Sequence, residues 1–403
     1  MTVNIREIFN KSDVFIVSTS RTPLGSFRGA LSKLTAVDLG VHAIKSVLKR
    51  SGINTKEVEE VVMGNVISAN LGQNPARQCA IGAGLPVETI CTTVNKVCAS
   101  GMKAVILGAQ SIFLEMADVV ISGGMESMSN VPFYNPNMRS GCKYGNIQLV
   151  DGLVRDGLSD AYSNESMGIA AEYCATEYHI TREEQDNYAI SSYLKAQKAN
   201  ELNLFKEISP IEISTGNKKS TVLVEKDEEI LKLDKDKLKV IKPAFKSDGT
   251  VTAANASSIS DGAAALLLVS GKKVKELGLY PIIKILGWGE VSQTPNKFTT
   301  SPCLAICKAL KSCGLSHSDV DYYEINEAFS VVAIANLKLL GLNPDRVNVF
   351  GGSVSMGHPL GCSGARIIAT LISVLEHHKA KIGVAAICNG GGGASAIVIE
   401  RVN

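Results

Sequence analysis

Two stretches of this sequence open alike, Ser100-Gly101-Met102-Lys103-Ala104-Val105-Ile106 and Ser363-Gly364-Ala365-Arg366-Ile367-Ile368. From the first, a helical period sets Met102, Val105, Ile106 and Ala109 on one face, and an apolar run starting at Val119 leads to Gly123-Gly124. From the second, Ile368, Leu371, Ile372 and Leu375 share a face, and the run around Val384 leads to Asn389-Gly390-Gly391. The chain therefore reads as two versions of one α/β half. Further short apolar runs at 14–17, 61–63 and 264–268 alternate with helix-period segments, the pattern of an α/β fold whose sheet is covered on both faces.

The region between the two halves has a different texture. It holds Pro132, Pro136, an amphipathic segment over 181–200 and a charged run over 225–242, and reads as an inserted domain. The expected division is an N-terminal half over 1–126 completed by 259–280, an insert over 127–258 and a C-terminal half over 281–403. The charged run is mixed in sign, which by itself reads as solvated surface.

At 403 residues more than one compact unit is expected. A formal net charge of +2 gives no broad positive field, which argues against a nucleic-acid partner. The 10 Cys are scattered without a dense framework and suit reduced thiols. Cys303 and Cys307 lie on an apolar helical stretch and His377 and His378 are adjacent, spacings that argue against a transition-metal site. No window approaches about 18 uninterrupted apolar residues, so no membrane span is expected. Residues 1–18 lack a sustained apolar run. A cytoplasmic protein is expected, and a mature mitochondrial form would read the same.

Three clusters carry chemistry. Cys98, in Asn95-Lys96-Val97-Cys98-Ala99-Ser100-Gly101, lies at the expected helix start, where unpaired N–H groups and the helix dipole favour thiolate. A free Cys is as often a small buried hydrophobe. His358 stands in Gly351-Gly352-Ser353-Val354-Ser355-Met356-Gly357-His358-Pro359, where turn residues present an imidazole suited to proton transfer. Cys388 ends a buried run at Asn389-Gly390-Gly391-Gly392-Gly393, a loop able to aim N–H groups at a developing oxyanion. A fourth piece, Asn326-Glu327-Ala328-Phe329, could hold a water or cap a turn.

Taken in this order, these segments resemble the thiolase family along nearly the whole chain. The biosynthetic, acetyl-CoA acetyltransferase branch is the nearest likeness, through residues 95–104 and 123–132. The resemblance implies two similar halves stacked as a five-layered α/β/α/β/α core with an inserted loop domain. It also implies a ping-pong, reversible Claisen condensation of two acetyl-CoA to acetoacetyl-CoA and coenzyme A. Cys98, deprotonated by His358, would carry the acetyl group, and Cys388 would take a proton from the second acetyl-CoA. His358 with a water on Asn326 would form one oxyanion hole, and the N–H groups of Cys98 and Gly390 the other.

By the same likeness Lys232, Leu233, Asp234 and Lys237 would hold the nucleotide end of coenzyme A, with Ser257 at the pantetheine. Leu158 and Met167 would line the acyl pocket, with Tyr193, Ala328 and Phe329 beside the ligand. No cofactor would be required for the chemistry. Tyr193, Ala253, Ala254, Ala256 and Val354 match a potassium site of animal mitochondrial relatives. Relatives are commonly tetramers, with residues 138–144 as a tetramerisation loop, so a homotetramer or homodimer is expected. Ser166 departs from the His usual just before Met167. Three alternatives stay open at this point: a broader-range ketoacyl-CoA thiolase, a related condensing synthase, against which Cys388 argues, and a non-catalytic acyl-CoA-binding protein.

Overall fold

The computed structural model describes residues 13–214 and 221–402. The absence of a signal segment was expected over residues 1–18, of which 1–12 lie outside the described residues. One strand path crosses the molecule in the order Tyr322–Ile325, Ile382–Asn389, Gly393–Arg401, Ile283–Ser292, Val14–Arg21, Ser260–Ser270, Val119–Ser127, Glu60–Gly64 and Ile90–Val94. The two half-sheets meet where Val14–Arg21 pairs with Ile283–Ser292 through Val14, Phe15 and Ile16 alone. Each half has parallel pairs at its outer edge and antiparallel pairs toward the join.

Alternation along Ser260–Ser270 explains the layers. Ala264, Leu266 and Leu268 face an inner core with Met102, Ile106, Ile368 and Leu371, while Ala263, Ala265, Leu267 and Val269 face an outer core with Leu39, Ala43 and Val47. The helices Ser100–Phe113 and Leu360–His378 are thus the central layer, between the two half-sheets. Ala36–Ser51 covers one outer face, and Ser301–Ser312 covers the other through Ala305, Ile306 and Ala309. This is the five-layered arrangement expected of the duplicated halves.

The shared Ser-Gly pair has a packing reason. A Cβ on Gly364 would lie 2.3 Å from the Met102 nitrogen, and one on Gly101 would lie 2.7 Å from the Gly361 carbonyl oxygen. The two central helices therefore cross backbone against backbone, and only a residue without Cβ fits at the crossing. Two boundaries differ from the sequence reading. The Val119 strand runs through Gly123-Gly124 to Ser127, since Gly123 to Ser127 continue the ladder with Ser260–Ser270. The second helix starts at Leu360, three residues before Ser363, with Pro359 as its N-cap residue.

In the C-terminal half, Ile382–Asn389 turns through three glycines directly into Gly393–Arg401. In the N-terminal half, the equivalent pair Val119–Ser127 and Ser260–Ser270 is separated by residues 128–259. That stretch contains the helices Met167–Glu177 and Arg182–Glu201, the latter started by a Thr181/Glu184 capping box. The charged run is not wholly solvated as expected. Asp227 is 3% exposed and accepts from Arg21 at 2.6 and 2.9 Å, while Glu207 accepts from the same guanidinium at 3.1 Å. Burying an arginine requires such carboxylates, and this one fastens residues 207 and 227 to the first strand. No helix among the described residues is long and apolar enough to cross a membrane.

Candidate active site

Cys98 sits on a loop held in an unusual backbone shape. Val97 has φ of +49°, a region that a β-branched side chain rarely adopts. Several bonds hold it there. Val97 N–H donates to Asn95 Oδ1 at 2.9 Å, and Ser100 Oγ donates to the Val97 carbonyl at 2.6 Å. Lys96 reaches across to the other half, to Glu290 at 2.6 Å and Ser395 at 2.8 Å. The thiol opens into a cleft between the halves and the inserted segment. Burial pushes the thiol up to about 11, outweighing the backbone N–H groups of Gly390 and of Cys98 itself, which favour charge on the sulfur. The thiolate expected from a helix start is therefore not the resting state. Helix Ser100–Phe113 begins two residues after Cys98, and desolvation exceeds the pull of its dipole.

His358 is 5% exposed. Burial, and next the charge of Arg366, lower it to about 3, so it is a neutral base at ordinary pH. Its Nδ1 lies 2.6 Å from Ser363 Oγ, which itself donates to the Pro359 carbonyl at 2.9 Å. With that hydroxyl hydrogen engaged, Ser363 accepts from Nδ1–H, which assigns the bare lone pair to Nε2. Asn326, 1% exposed, places Nδ2 3.5 Å from Nε2, and its Oδ1 accepts from Ser353 at 2.7 Å. Cys388 ends its strand fully buried in a cluster that includes Met167, Phe298, Ala328 and Phe329. Burial raises its thiol, and proximity to Cys98 raises it further.

The cleft encloses about 520 Å³. Its wall brings together Cys98 and His358 with Leu158, Met167, Lys232, Ser257, Ala328 and Phe329. Ala253 and Ala256 also face it, whereas Cys388, Asn326 and Gly390 are not among the residues that line it. An adjoining recess of about 230 Å³ holds Tyr193, Leu233, Asp234, Lys237 and Ala254, and shares Lys232 and Ala253 with the cleft. Val354 packs in the same cluster as Tyr193, Leu233 and Ala254.

Two side chains are more engaged than their sequence reading implied. Lys232 pairs with Glu229 at 2.9 Å and Glu228 at 3.9 Å, so a phosphate would compete with carboxylates for it. Asp234 caps the helix Lys235–Val240, accepting from Lys237 N–H at 2.9 Å. Ser166 caps helix Met167–Glu177 while lining the cleft, a structural use for the residue that stands where His was expected. Among the described residues no group of three or more His, Cys, Asp or Glu side chains converges as a metal site.

The sequence reading missed a buried polar frame behind the site. Glu327 accepts from Tyr188 at 2.8 Å, Ser192 at 2.8 Å, Asn348 at 3.0 Å and Val354 N–H at 3.1 Å. It thereby ties helix Arg182–Glu201 to the loop that carries His358. Glu126 accepts from Val66, Ile67 and Gly361 N–H groups and from Asn65, and anchors the start of the Leu360 helix. An acidic residue next to Asn326 was the one available signal for Glu327; nothing local marked Glu126.

A thiol, an imidazole and backbone N–H groups, gathered from two like halves at one cleft, suit an enzyme of acyl transfer. Comparison with known proteins agrees. Residues 14–272 match the thiolase N-terminal domain and residues 279–401 the thiolase C-terminal domain. The chain is 61% identical to the cytosolic acetyl-CoA acetyltransferase ERG10 of Gibberella zeae, over 98% of this chain and 99% of that one. It is 62% identical to the acetyl-CoA acetyltransferase of Schizosaccharomyces pombe, over 97% and 99%. A crystal structure of the Acat5 thiolase from Ascaris suum in complex with coenzyme A superposes with a TM-score of 0.92 at 48% identity, covering 97% of this chain and 100% of that one. The chain belongs to the thiolase family and is an acyltransferase of its acetyl-CoA acetyltransferase branch.

Proposed function

We propose that the chain condenses two molecules of acetyl-CoA to acetoacetyl-CoA and coenzyme A, reversibly, through an acetyl group on Cys98. The observation that carries this reading is the meeting of Cys98 and His358 on one cleft, where backbone N–H groups of Cys98 and Gly390 favour charge at the Cys98 sulfur. An acetyl group on that sulfur would place its carbonyl oxygen within reach of both. Because thiol and imidazole are both neutral at rest, Cys98 attacks the first thioester as its proton passes to His358 Nε2. Coenzyme A then leaves as the thiol, taking that proton. Cys388, its own proton drawn off to His358 Nε2, removes as the thiolate a proton from the methyl carbon of the second acetyl-CoA. The enolate oxygen so formed is met by His358 and a water on Asn326, and the enolate carbon attacks the acetyl-Cys98 carbonyl. Collapse of the tetrahedral adduct expels Cys98, which takes the proton held on His358 Nε2, while Cys388 keeps the proton drawn from the methyl carbon.

In this reading residues 127–258 supply most of the coenzyme A contacts, at Leu158, Met167, Tyr193, Lys232, Leu233, Asp234, Lys237 and Ser257, and the halves 1–126 with 259–280 and 281–403 supply the chemistry. Ala328 and Phe329 close the acyl end. The carbonyls of Ala253, Ala254, Ala256 and Val354, with the Tyr193 hydroxyl, would supply the oxygen donors of a potassium site. A cation there would hold the loop that carries Ser257. Exposed Met138 and Tyr144, and the exposed edge strand Ile90–Val94, fit an assembly of two or four copies. We place the protein in the cytosol, like the Gibberella relative.

Cys388→Ala tests the division of labour. Incubation with acetyl-CoA followed by mass spectrometry is expected to show acetyl-Cys98 at the parental level, with condensation down at least about a thousandfold. Acetyl label on a residue other than Cys98 would overturn the reading.

A further inference from the structure

We propose that Arg366 and Ser353 are positioning residues that set the polarity of the Asn326 amide, so that its N–H side faces the water that meets the reacting oxygen. This rests on the reading of Asn326 and His358 as the donors to the enolate.

Arg366 lies on the Leu360–His378 helix, 1% exposed, and a guanidinium can only donate. Its Nη2 donates to Ser353 Oγ at 2.9 Å. Its Nε and Nη1 meet no partner among the described residues, and the nearest carboxylate oxygen, on Glu324, stands 4.0 Å away. Ser353 is thus the acceptor that this buried cation has. With a lone pair taken by Arg366, the Ser353 hydroxyl hydrogen is free to point the other way, to Asn326 Oδ1 at 2.7 Å. An amide whose oxygen is held presents its NH2 on the opposite side, where Nδ2 sits 3.5 Å from His358 Nε2.

The chain runs in one direction because its first member cannot accept. Turning the Asn326 amide by half a turn would set NH2 against the Ser353 hydroxyl hydrogen and Oδ1 against the bare Nε2 lone pair, a mismatch at both ends. It would also turn an acceptor, in place of a donor, toward the water that meets the forming oxyanion. The same helix treats His358 alike. Ser363, three residues before Arg366, commits its hydroxyl hydrogen to the Pro359 carbonyl and so holds Nδ1–H, which leaves Nε2 toward Asn326. One turn of one helix therefore bears on both the polarity of the Asn326 amide and the tautomer of His358, although none of Arg366, Ser353 and Ser363 lines the cleft.

The test uses Ser353→Ala in the full chain, with two readouts: exchange of the acetyl-CoA methyl hydrogens for deuterium, and single-turnover formation of acetyl-Cys98. Exchange and condensation kcat are expected to fall about tenfold, part of what one oxyanion donor is worth, while acetylation and KM stay within about twofold. Ser353→Thr, which keeps the hydroxyl, is expected to restore most of the loss, and Asn326→Asp, which puts an oxygen where Nδ2 stood, to lose more than Ser353→Ala. Exchange within about twofold of the parent in Ser353→Ala, or equal losses of exchange and acetylation, would overturn the proposal. Asn326→Ala separates the two levels. If it too leaves exchange intact, the donor reading itself fails; if it abolishes exchange while Ser353→Ala does not, only the positioning role fails.

Discussion

Replacing His358 by Ala tests whether the resting thiol is neutral. With the Cys98 thiol at about 11, the thiolate fraction at pH 7.5 is about 3 in 10,000. In the parent this costs little, because His358, lowered to about 3, is unprotonated from about pH 6 to about pH 9 and takes the proton as the carbon–sulfur bond forms. Acetylation of the parent is therefore expected to be nearly flat over that range, with no acidic limb near the ordinary histidine value. In His358→Ala the reaction must pass through free thiolate, so its rate at pH 7.5 is expected about a thousandfold lower, within the range general bases contribute. It should climb about tenfold per pH unit until the thiol itself titrates. The assay is rapid-quench mass spectrometry of acetyl-enzyme at saturating acetyl-CoA across the pH series. A flat profile in His358→Ala would mean that Cys98 is already a thiolate, and a parental profile rising tenfold per unit would mean that His358 takes no proton. Either outcome refutes the neutral-pair account.

Two further perturbations probe the frame and the cleft. Gly364→Ala puts a Cβ 2.3 Å from the Met102 backbone nitrogen, where no flexible side chain can give way, so the central helices must separate. A cost of about 1–3 kcal/mol is expected, seen as a thermal midpoint about 1–4 °C lower, and activity should fall with it because the same helices carry Cys98 and His358 at their starts. Met167→Ala removes a side chain whose Cε would lie 3.6 Å from a Cβ built on Gly390, at the acyl end of the cleft. Thiolysis of six-carbon relative to four-carbon ketoacyl-CoA is expected to rise by about fourfold or more per methylene accommodated, measured as the ratio of kcat/KM values.

How much of this was legible in the sequence depends on range. The duplicated halves could be read because helical period and the Ser-Gly pair are local signals, and the pair recurs for a reason that both halves share, the crossing of Gly101 and Gly364 against opposing backbone. The end of the Val119 strand was misread because Gly123-Gly124 looks like a turn until a partner strand is present to continue the ladder. The charged run around Asp227 looked solvated because its partner, Arg21, is more than two hundred residues away. Val97 gave no sign of its left-handed backbone, since Val is among the residues least suited to it; only the bonds from Asn95 and Ser100 hold it there.

The protonation states of the site are long-range properties in the same sense, and they reverse the local expectation. Read alone, a Cys at a helix start should be a thiolate and a His among glycines should titrate near neutrality. Stacking the second half over the first desolvates both, and each then disfavours its own charge: the thiol keeps its proton and the imidazole refuses one. Neither half could do this alone, because Cys98 enters from one central helix and His358 from the other, and Gly390 adds its N–H from the turn that in the first half is replaced by residues 128–259. A proton transfer between two neutral partners needs no stored ion pair, and it creates charge only as the thioester carbonyl develops its own beside the N–H groups of Cys98 and Gly390. Duplication thus supplies more than two copies of a helix start: it makes the desolvated space in which nucleophile and base stay uncharged until the substrate arrives.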